Sequence, residues 1–584
     1  MTDSLSLNKA EWVLPDVDLG DVQALIRAHD VPEIVARMLI GRGVRQDEVS
    51  AFLNPTLKAH FPDPFSLRGM NAMAGEVADA IVEGKKFAIF GDFDVDGATS
   101  SAVLYRFLKH CEIEAPIYIP GRLTEGYGPN TEALRKLRDD GAEVLFLLDC
   151  GTTAFDVVAA GAEMGLRIVI VDHHEAEDDL PAAAHVINPK RKDDVSGLDM
   201  LAAVGVTFMA CVAINSKLRG AEGYERGDAP LMEWLDLVAL GTVCDMVPLL
   251  GVNRLLVKVG FKRMQNSVNV GLKQLIEVSR ITGELAPYHA GYVLGPRINA
   301  GSRVHQSDLG ARLLSTDDAQ AANDIAWTLN DCNDKRKAIQ GDMEREALAQ
   351  VEAEALDQHP VIFVASEAFH QGLSGLVAGR LKEKYGKPAV VAAILEGEAR
   401  GSGRSVAGIH IAQAFIDGRN AGLIRKGGGH AMAGGFTVGV DQLDAFREFL
   451  YAHVAGQMES DASNICTKID GLVSVRGCTP DLVRVVQGQV GPFGQEFQEP
   501  LFMLQNVRIH CADVVGDSHV RLQVSDWEGG ARMKAMAFRA MDGKMGTALL
   551  KHCGAAFDLV GTLKIDDWGG RDKVEMHIKD ARMH

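Results

Sequence analysis

Six aspartates and two histidines gather in four short segments of the first half of the chain. Phe90-Gly-Asp92-Phe-Asp94-Val-Asp96-Gly places three carboxylates at alternate positions directly after an apolar run. In an extended chain their side chains would share one side. Asp149 follows Leu147-Leu148, Asp172-His173-His174 follows Val171, and Asp245 lies in Gly241-Thr-Val-Cys-Asp245-Met-Val-Pro248. Two carboxylates about 4 Å apart repel by about 4 kcal/mol at an effective dielectric of about 20. Asp92, Asp94, Asp96, Asp149 and Asp245 brought together in ionised form therefore require a cation. Oxygen donors with imidazole suit Mn²⁺ or Mg²⁺ better than a thiolate-bound metal. A lone Asp-x-Asp is commonly a turn or a helix cap, and a lone His pair a surface or core feature. The joint pattern at several strand ends is what points to a metal.

The elements that must position these groups are legible as short β-rich runs. Residues 87–90 (FAIF), 117–120 (IYIP), 144–148 (VLFLL) and 167–171 (RIVIV) are separated by amphipathic stretches, the signature of βαβ units and a parallel sheet. Three of the acidic segments fall at the carboxyl ends of these runs, the edge where open parallel sheets bind ligands. Gly97 lets the chain turn, and TSSAVLYRFLKH reads as a helix capped by Thr99 or Ser100. The organisation expected is a helical region over 1–72, a parallel-sheet catalytic domain over 73–255, and a connecting helical region over 256–356 that ends in a long exposed helix. A second α/β domain over 357–460 carries the runs 361–365 and 388–395 and three glycine-rich segments, HQGLSG, GEARGSGRS and RKGGGHAMAGG. The strand-like runs of 466–584, separated by polar turns, read as an all-β, OB-like barrel.

Composition limits the function classes. Of 584 residues 47% are hydrophobic and 24% charged, an ordinary globular balance. No apolar run approaches the roughly 18–20 residues of a membrane span, and the N-terminus has no secretory pattern. The nine cysteines are scattered without a Cys-x-x-Cys, which argues against a disulfide scaffold or structural zinc and for a cytoplasmic setting. The net charge of −19 argues by itself against nucleic acid. It is unevenly spread, however: residues 466–584 hold 15 basic and 15 acidic side chains, so the whole excess lies in 1–465. A neutral tail on an acidic body leaves a polyanion partner open.

The motifs carry a resemblance. DFDVDG, LLDCG, DHH and GTVCDMVP resemble the four ordered motifs of the DHH phosphoesterase family, and HQGLSGLVAGRL, GSGRS and GGGHAMAGG resemble its associated DHHA1-like domain. GRLTEGYGPN (121–130), LAAVGVTF (201–208), GPRINAGSR (295–303), LNDCNDKRKAIQ (329–340) and GPFGQEFQEPLF (491–502) are similar to the branch that degrades single-stranded DNA; the likeness runs from about Ala36 to the end. The resemblance implies two metal ions, Mn²⁺ or Mg²⁺. Asp92, Asp94 and Asp149 would surround one, and Asp96, Asp149, His173 and Asp245 the other, with Asp149 bridging. Asp172 would orient its neighbours and His174 would face the scissile phosphate. It also implies 5′-to-3′ release of mononucleotides from single-stranded DNA in repair and recombination, with a helicase and a single-strand-binding protein as partners of a monomer. The alternative is a family member acting on short oligonucleotides, cyclic dinucleotides or polyphosphate. Those usually lack the β-domain and the EGYG segment. Gly301-Ser302-Arg303 and the triple glycine 427–429 depart from the usual pattern without touching a ligand position.

A metal pair about 3.5–4 Å apart clamps the attacking and leaving oxygens of an in-line displacement. The growing charge needs further donors. Arg122, Arg297, Arg303, Arg380, Arg404 and His430 stand beside glycine or small residues and are the candidate phosphate binders. Tyr127 could stack a base or ribose, or pack in the core. In the last domain Phe493 and Phe497, in a Gly/Pro-rich loop, are preferred over Phe502, Trp527, Phe538 and Trp568 as base-stacking residues.

Overall fold

The computed structural model describes residues 6–458, 466–516, 518–566 and 572–584; Trp568 lies outside them. The chain divides into two compact units, 61–462 and the combination of 1–60 with 463–584.

The larger unit opens with five parallel strands: β1 (Phe87–Gly91), β2 (Ile117–Tyr118), β3 (Val144–Leu148), β4 (Arg167–Val171) and β5 (His185–Ile187). Their order is β2-β1-β3-β4-β5. β1 and β3 are buried along their whole length, which is why they read as unbroken apolar runs. The order reverses direction between β1 and β3, so the crevice outside their carboxyl ends is the switch point of the sheet. Helices α1 (Val95–His110), α2 (Ala203–Leu218) and α3 (Leu235–Cys244) pack together on this domain.

Helix α1 starts four residues earlier than the sequence suggests. Its cap is Asp94, whose Oδ1 accepts from the Asp96 and Gly97 amides at 2.9 and 3.2 Å. Thr99 and Ser100 lie inside the helix, and the three aspartates are not on an extended strand. Asp92 ends the strand, Asp94 caps the helix and Asp96 sits in its first turn. Gly97 has no positive φ. It is needed because a Cβ there would stand 2.3 Å from the Asp92 carbonyl oxygen.

After helix α4 (Gly295–Val304), the 35-residue helix α5 (Ala319–Ala353) leads into the second sheet. That sheet has β6 (Ile362–Ser366), β7 (Ala389–Leu395), β8 (Glu398–Arg404), β9 (Lys426–His430) and β10 (Ala433–Gly439), in the order β9-β10-β8-β7-β6. Only β6 and β7 run parallel. Helix α6 (Ser374–Tyr385) follows β6, and α7 (Ile411–Asn420) packs on β9 and β10. Two of the glycine-rich segments are therefore strands, and their glycines have a core role that the sequence alone did not suggest. A Cβ on Gly403, Gly427 or Gly434 would collide with Phe415 or its backbone, and one on Gly401 with the Phe436 ring.

In the other unit, β11 (Phe502–Val515), β12 (His519–Asp526), β13 (Arg532–Ala537), β14 (Ala556–Asp566) and β15 (Lys573–Met583) close on themselves in the order β11-β12-β13-β15-β14-β11. This closed five-stranded barrel is the expected OB-like domain. The N-terminal residues are built onto it. The strand Glu11–Val13 pairs with Cys466–Lys468, Trp12 Nε1 donates to Asp580 at 3.0 Å, and Arg42 grips Asp470 with two bonds of 2.7 and 3.1 Å. Helical periodicity made 1–72 look like a region of its own, because a partner more than 400 residues away leaves no local trace. The Gly/Pro loop is likewise not a free aromatic platform. Phe497 is 5% exposed, packed on Phe52 at 5.4 Å and Phe493 at 6.0 Å, with the Arg42 guanidinium 4.7 Å from its ring centre. Phe502 is buried too, whereas Trp527 and Phe538 are 48% and 49% exposed.

Among the described residues no helix is long and apolar enough to cross a membrane.

Candidate metal centre

All the acidic segments meet outside the carboxyl ends of β1, β3 and β4. Asp92 extends β1, its amide donating to the Leu148 carbonyl at 3.3 Å. Asp149 follows β3 with φ of +59°, a left-handed conformation that a non-glycine residue holds only at a cost of order 1 kcal/mol and that clusters at functional sites. Asp96 is held from the other side: its two carboxylate oxygens accept from the Ala203 and Val204 amides at 2.7 and 2.9 Å, the N-terminus of α2. This explains the LAAVGVTF segment, because a helix N-terminus is where a carboxylate is best seated. Asp245 caps the C-terminal end of α3.

Three sets of ligand atoms lie within 4.8 Å of one another: Asp92, Asp94 and Asp149; Asp96, His173 and Asp245; and Asp149, His173 and His174. His173 Nε2 stands 3.4 Å from Asp149, 3.5 Å from Asp245 and 3.9 Å from Asp96. The chemistry of this donor set fits divalent cations. Asp92 Oδ1, Asp149 Oδ1, Asp245 Oδ2 and both ring nitrogens of His173 are buried without a hydrogen-bond partner, a state that costs about 1–3 kcal/mol per group unless something else satisfies it.

The electrostatics agree. Burial, then Asp94, raises Asp96 to about 7. Burial, then Asp96 and Asp94, raises Asp245 to about 9. Burial and neighbouring carboxylates push Asp92 and Asp149 well above the usual range. A protein with no cation here could not keep all these groups ionised. His173 moves the other way, to about 4, through burial and then the neighbouring His174, which keeps its ring neutral and able to ligate.

Asp172 does not face the cluster. Burial works to raise it, but the side-chain bond and charge of His174 hold it well below the ordinary carboxylate range. Its Oδ1 meets His174 Nδ1 at 2.7 Å and accepts from the His173 amide at 2.8 Å, and its Oδ2 accepts from the Thr152 amide at 3.1 Å. It therefore fixes the turn that presents both histidines. Tyr127 is half exposed and is not a core residue. Its hydroxyl donates to the Asp149 carbonyl at 3.2 Å and lies 3.2 Å from the His174 ring.

The arginines divide. Arg122 stacks over Phe93 at 4.5 Å and feels Asp92 and Asp94. Arg303 donates to the Gly372 carbonyl at 2.7 Å and shares its surroundings with Arg122, Arg404 and Arg336. Arg297 is tied to Asn330 and the Val293 carbonyl. Arg380 pairs with Glu344 and Glu383 and stands beside Arg336. His430 is exposed at the end of β9, in the same cross-strand row as Arg404.

Sequence reasoning passed over several participants. Arg336, half-buried on α5 and bonded to Asn333 at 2.6 Å, joins the arginine group; its only signal was the LNDCNDKRKAIQ segment. Asn188 secures the histidine turn by donating to Thr152 and to the His174 carbonyl. Gly241 allows α3 to press on the centre: a Cβ there would lie 2.2 Å from Thr99 Oγ1 and 3.2 Å from Asp96. We expect Gly241→Ala to cost about 1–3 kcal/mol of stability through overpacking. Thermal unfolding measures it, and an unchanged transition would refute the close packing.

A parallel sheet with an acid and histidine cluster at its switch point, followed by the second sheet, defines a DHH-class protein. Accordingly, residues 86–242 match the DHH family, N-terminal domain, residues 358–456 the DHHA1 domain, and residues 469–580 the RecJ OB domain. The chain is 34% identical over 526 residues to the single-stranded-DNA-specific exonuclease RecJ of Dickeya dadantii, covering 87% of this chain and 89% of that one. It is 29% identical over 577 residues to the protein of the same name from Bacillus subtilis, covering 98% and 71%. The crystal structure of RecJ in complex with Mn²⁺ from Thermus thermophilus superposes with a TM-score of 0.82 at 26% identity, over 98% of this chain and 80% of that one. The chain belongs to the RecJ family.

Proposed function

We propose that the protein hydrolyses single-stranded DNA from its 5′ end to 5′-mononucleotides, as a metal-dependent exonuclease of DNA repair and recombination. The observation that carries this is the set of buried, unpartnered ligand atoms at the switch point of a RecJ-family chain. In this reading Asp92, Asp94 and Asp149 would hold one Mn²⁺ or Mg²⁺, and Asp96, Asp149, His173 and Asp245 would hold a second. Bound there, the pair would supply positive charge to both the attacking and the leaving oxygen of an in-line displacement.

The remaining residues bind and orient. Asp172 fixes the His174 ring through Nδ1, turning its other edge to the scissile phosphate, and Tyr127 steadies it. Arg122, Arg303 and Arg404 take the phosphate charge next to the acid cluster, where desolvation makes each contact stronger than in water. Arg297, Arg380 and His430 extend this reading to the flanking backbone. In the barrel, Trp527, with Arg508 6.0 Å from its ring, and Phe538 offer exposed faces for bases. A helicase and a single-strand-binding protein as partners, a monomeric state and a cytoplasmic location complete the proposal.

The test is manganese-dependent mononucleotide release from 5′-labelled single-stranded and blunt duplex DNA. A strand is drawn to the centre through phosphate contacts on a narrow site, whereas a duplex presents two strands and one charge per about 1.7 Å of axis. We expect the duplex to be degraded at least ~10-fold more slowly; equal rates would refute the single-strand requirement.

A further inference from the structure

The second sheet presents a graded surface that the exonuclease reading does not use up. Strands β8, β10 and β9 are in register, so that residues opposite one another share a face. Arg404 pairs with Ala433 and that with His430; Ser402 pairs with Gly435 and that with Gly428; Arg400 pairs with Thr437 and that with Lys426. The alternate residues, Gly401, Gly403, Phe436 and Gly427, turn to the opposite face and its Phe415 core. One face therefore carries a row of Arg404 and His430, then a row with two glycines, then a row of Arg400 and Lys426. A Cβ on Gly428 would meet nothing within 4 Å, and one on Gly435 only a carbonyl at 3.6 Å. The middle row is thus an open floor. At about 3.3 Å per residue, Arg404 and Arg400 lie about 13 Å apart along β8.

Above this face is a cavity of about 500 Å³. Its lining includes Arg122 and Gly372, the carbonyl partner of Arg303, so it begins where the acid cluster's arginines end. Its far side holds Arg400, Arg425 and Lys426. Four cations line it against two carboxylates, Glu125 and Glu398. Glu398 is shared between Arg400 and Arg425, and Glu125 is bound by Tyr118, Asn130 and the Gly121 amide. The exonuclease reading assigns the strand's phosphates to Arg122, Arg303, Arg404 and His430, and so uses only the first row. The positive row beyond the glycine floor then has no counterpart in the substrate.

We propose that this outer row, Arg400 and Lys426, together with Arg425 beside it on the cavity wall, receives the additional phosphates of a 5′-triphosphorylated single strand. The inference rests on the exonuclease reading and names a further substrate class for it. The step remains a hydrolysis. Water adds to the second nucleotide's phosphorus, and the bond from that phosphorus to the first nucleotide's 3′ oxygen breaks. The 3′ oxygen takes a proton, and the first product is a nucleoside 5′-triphosphate rather than a monophosphate.

The experiment compares matched oligonucleotides bearing a 5′-monophosphate or a 5′-triphosphate, with mass-spectrometric identification of the first product. The wild-type protein is expected to cleave both at rates within ~3-fold and to release a nucleoside triphosphate from the second. The triple variant Arg400→Ala/Arg425→Ala/Lys426→Ala should lower kcat/KM on the triphosphorylated strand by ~10-fold or more and on the monophosphorylated strand by less than ~3-fold. The single variant Lys426→Gln should do the same in weaker form, should the triple variant fold poorly. Intact cleavage of the monophosphate end with none of the triphosphate end would overturn the inference alone, as would an equal loss on both strands or a dinucleotide as first product. A variant that loses only inhibition by free nucleoside triphosphate, with both strands cleaved as in wild type, would assign the row to the free nucleotide and overturn it also. Failure to cleave either end would overturn the exonuclease reading and this inference with it.

Discussion

Asp149→Asn is expected to lower manganese-supported hydrolysis of single-stranded DNA by on the order of 10³-fold or more, while the metal-free protein unfolds at the same or a higher temperature. Asp149 is the group that the two proposed ligand sets share, and it stands in two of the three groups of neighbouring ligand atoms; burial, then Asp96, Asp94, Asp92 and Asp245, disfavours its charge. Removing one charge from that group relieves repulsion in the empty centre, so the folded state loses nothing and can gain. Asparagine is the right replacement because residue 149 holds φ of +59°. Asparagine tolerates the left-handed region better than alanine, so backbone strain does not confuse the result.

A second readout separates metal loss from any other fault. Ligand binding to the native state stabilises it by about 2.7 kcal/mol at a hundredfold excess over Kd. The wild-type unfolding temperature should therefore climb with added Mn²⁺ and fall back on chelation. The variant's response should be much smaller. Near-full turnover of Asp149→Asn with manganese present, or a rise in the variant's unfolding temperature with Mn²⁺ as large as the wild type's, would show that Asp149 does not bridge two ions.

What could be read from the sequence was what local pattern encodes. Asp149 and the pair Asp172-His173 were visible because each segment starts directly after an apolar run long enough for a buried parallel strand, and the carboxyl end of such a strand is where a ligand site forms. The same pattern could not distinguish an aspartate on an extended chain from one capping a helix, since alternation of Asp92, Asp94 and Asp96 is compatible with both. Only the Asp94 bonds to two amides decide it. The closed barrel was visible in its alternating strands, but the strand Glu11–Val13 that pairs at residue 466 was not, because no local signal marks a partner so distant in the chain. Glycines were the least legible residues. Gly97, Gly241 and Gly403 are required by another element's atoms at 2.2–2.7 Å, which only the tertiary structure supplies. Arg336 was hidden for a similar reason. On a helix dense in charge it looks like any solvated residue, and its role follows from what α5 passes over.

The second large effect is expected at Arg303. Its guanidinium is buried, and burial, followed by Arg122, Arg336 and Arg404, pushes it down from its ordinary value to about 9. Asp94 offsets this only in part, so crowding by the three neighbouring arginines opposes the charge of Arg303, just as the neighbouring carboxylates oppose one another without a metal. In the proposed reading the two halves of the site take partners of opposite charge, a metal for the aspartates and a phosphate for the arginines. Arg303→Met keeps most of the aliphatic packing and removes the charge. Relief of the crowded charge offsets the loss of the bond to the Gly372 carbonyl, so stability should change by no more than about 1–3 kcal/mol, while kcat/KM on single-stranded DNA falls by on the order of 10²-fold. The salt dependence supplies the independent check. For a single strand, each phosphate contact contributes about 0.7 to the slope of log K against log salt. The variant's slope for binding, measured with Ca²⁺ in place of Mn²⁺ so that the strand stays intact, should be shallower by about that amount. An unchanged slope with a large loss of turnover would mean that Arg303 positions the Gly372 loop and not the DNA. Unchanged binding, slope and turnover together would remove the arginine group from the substrate path.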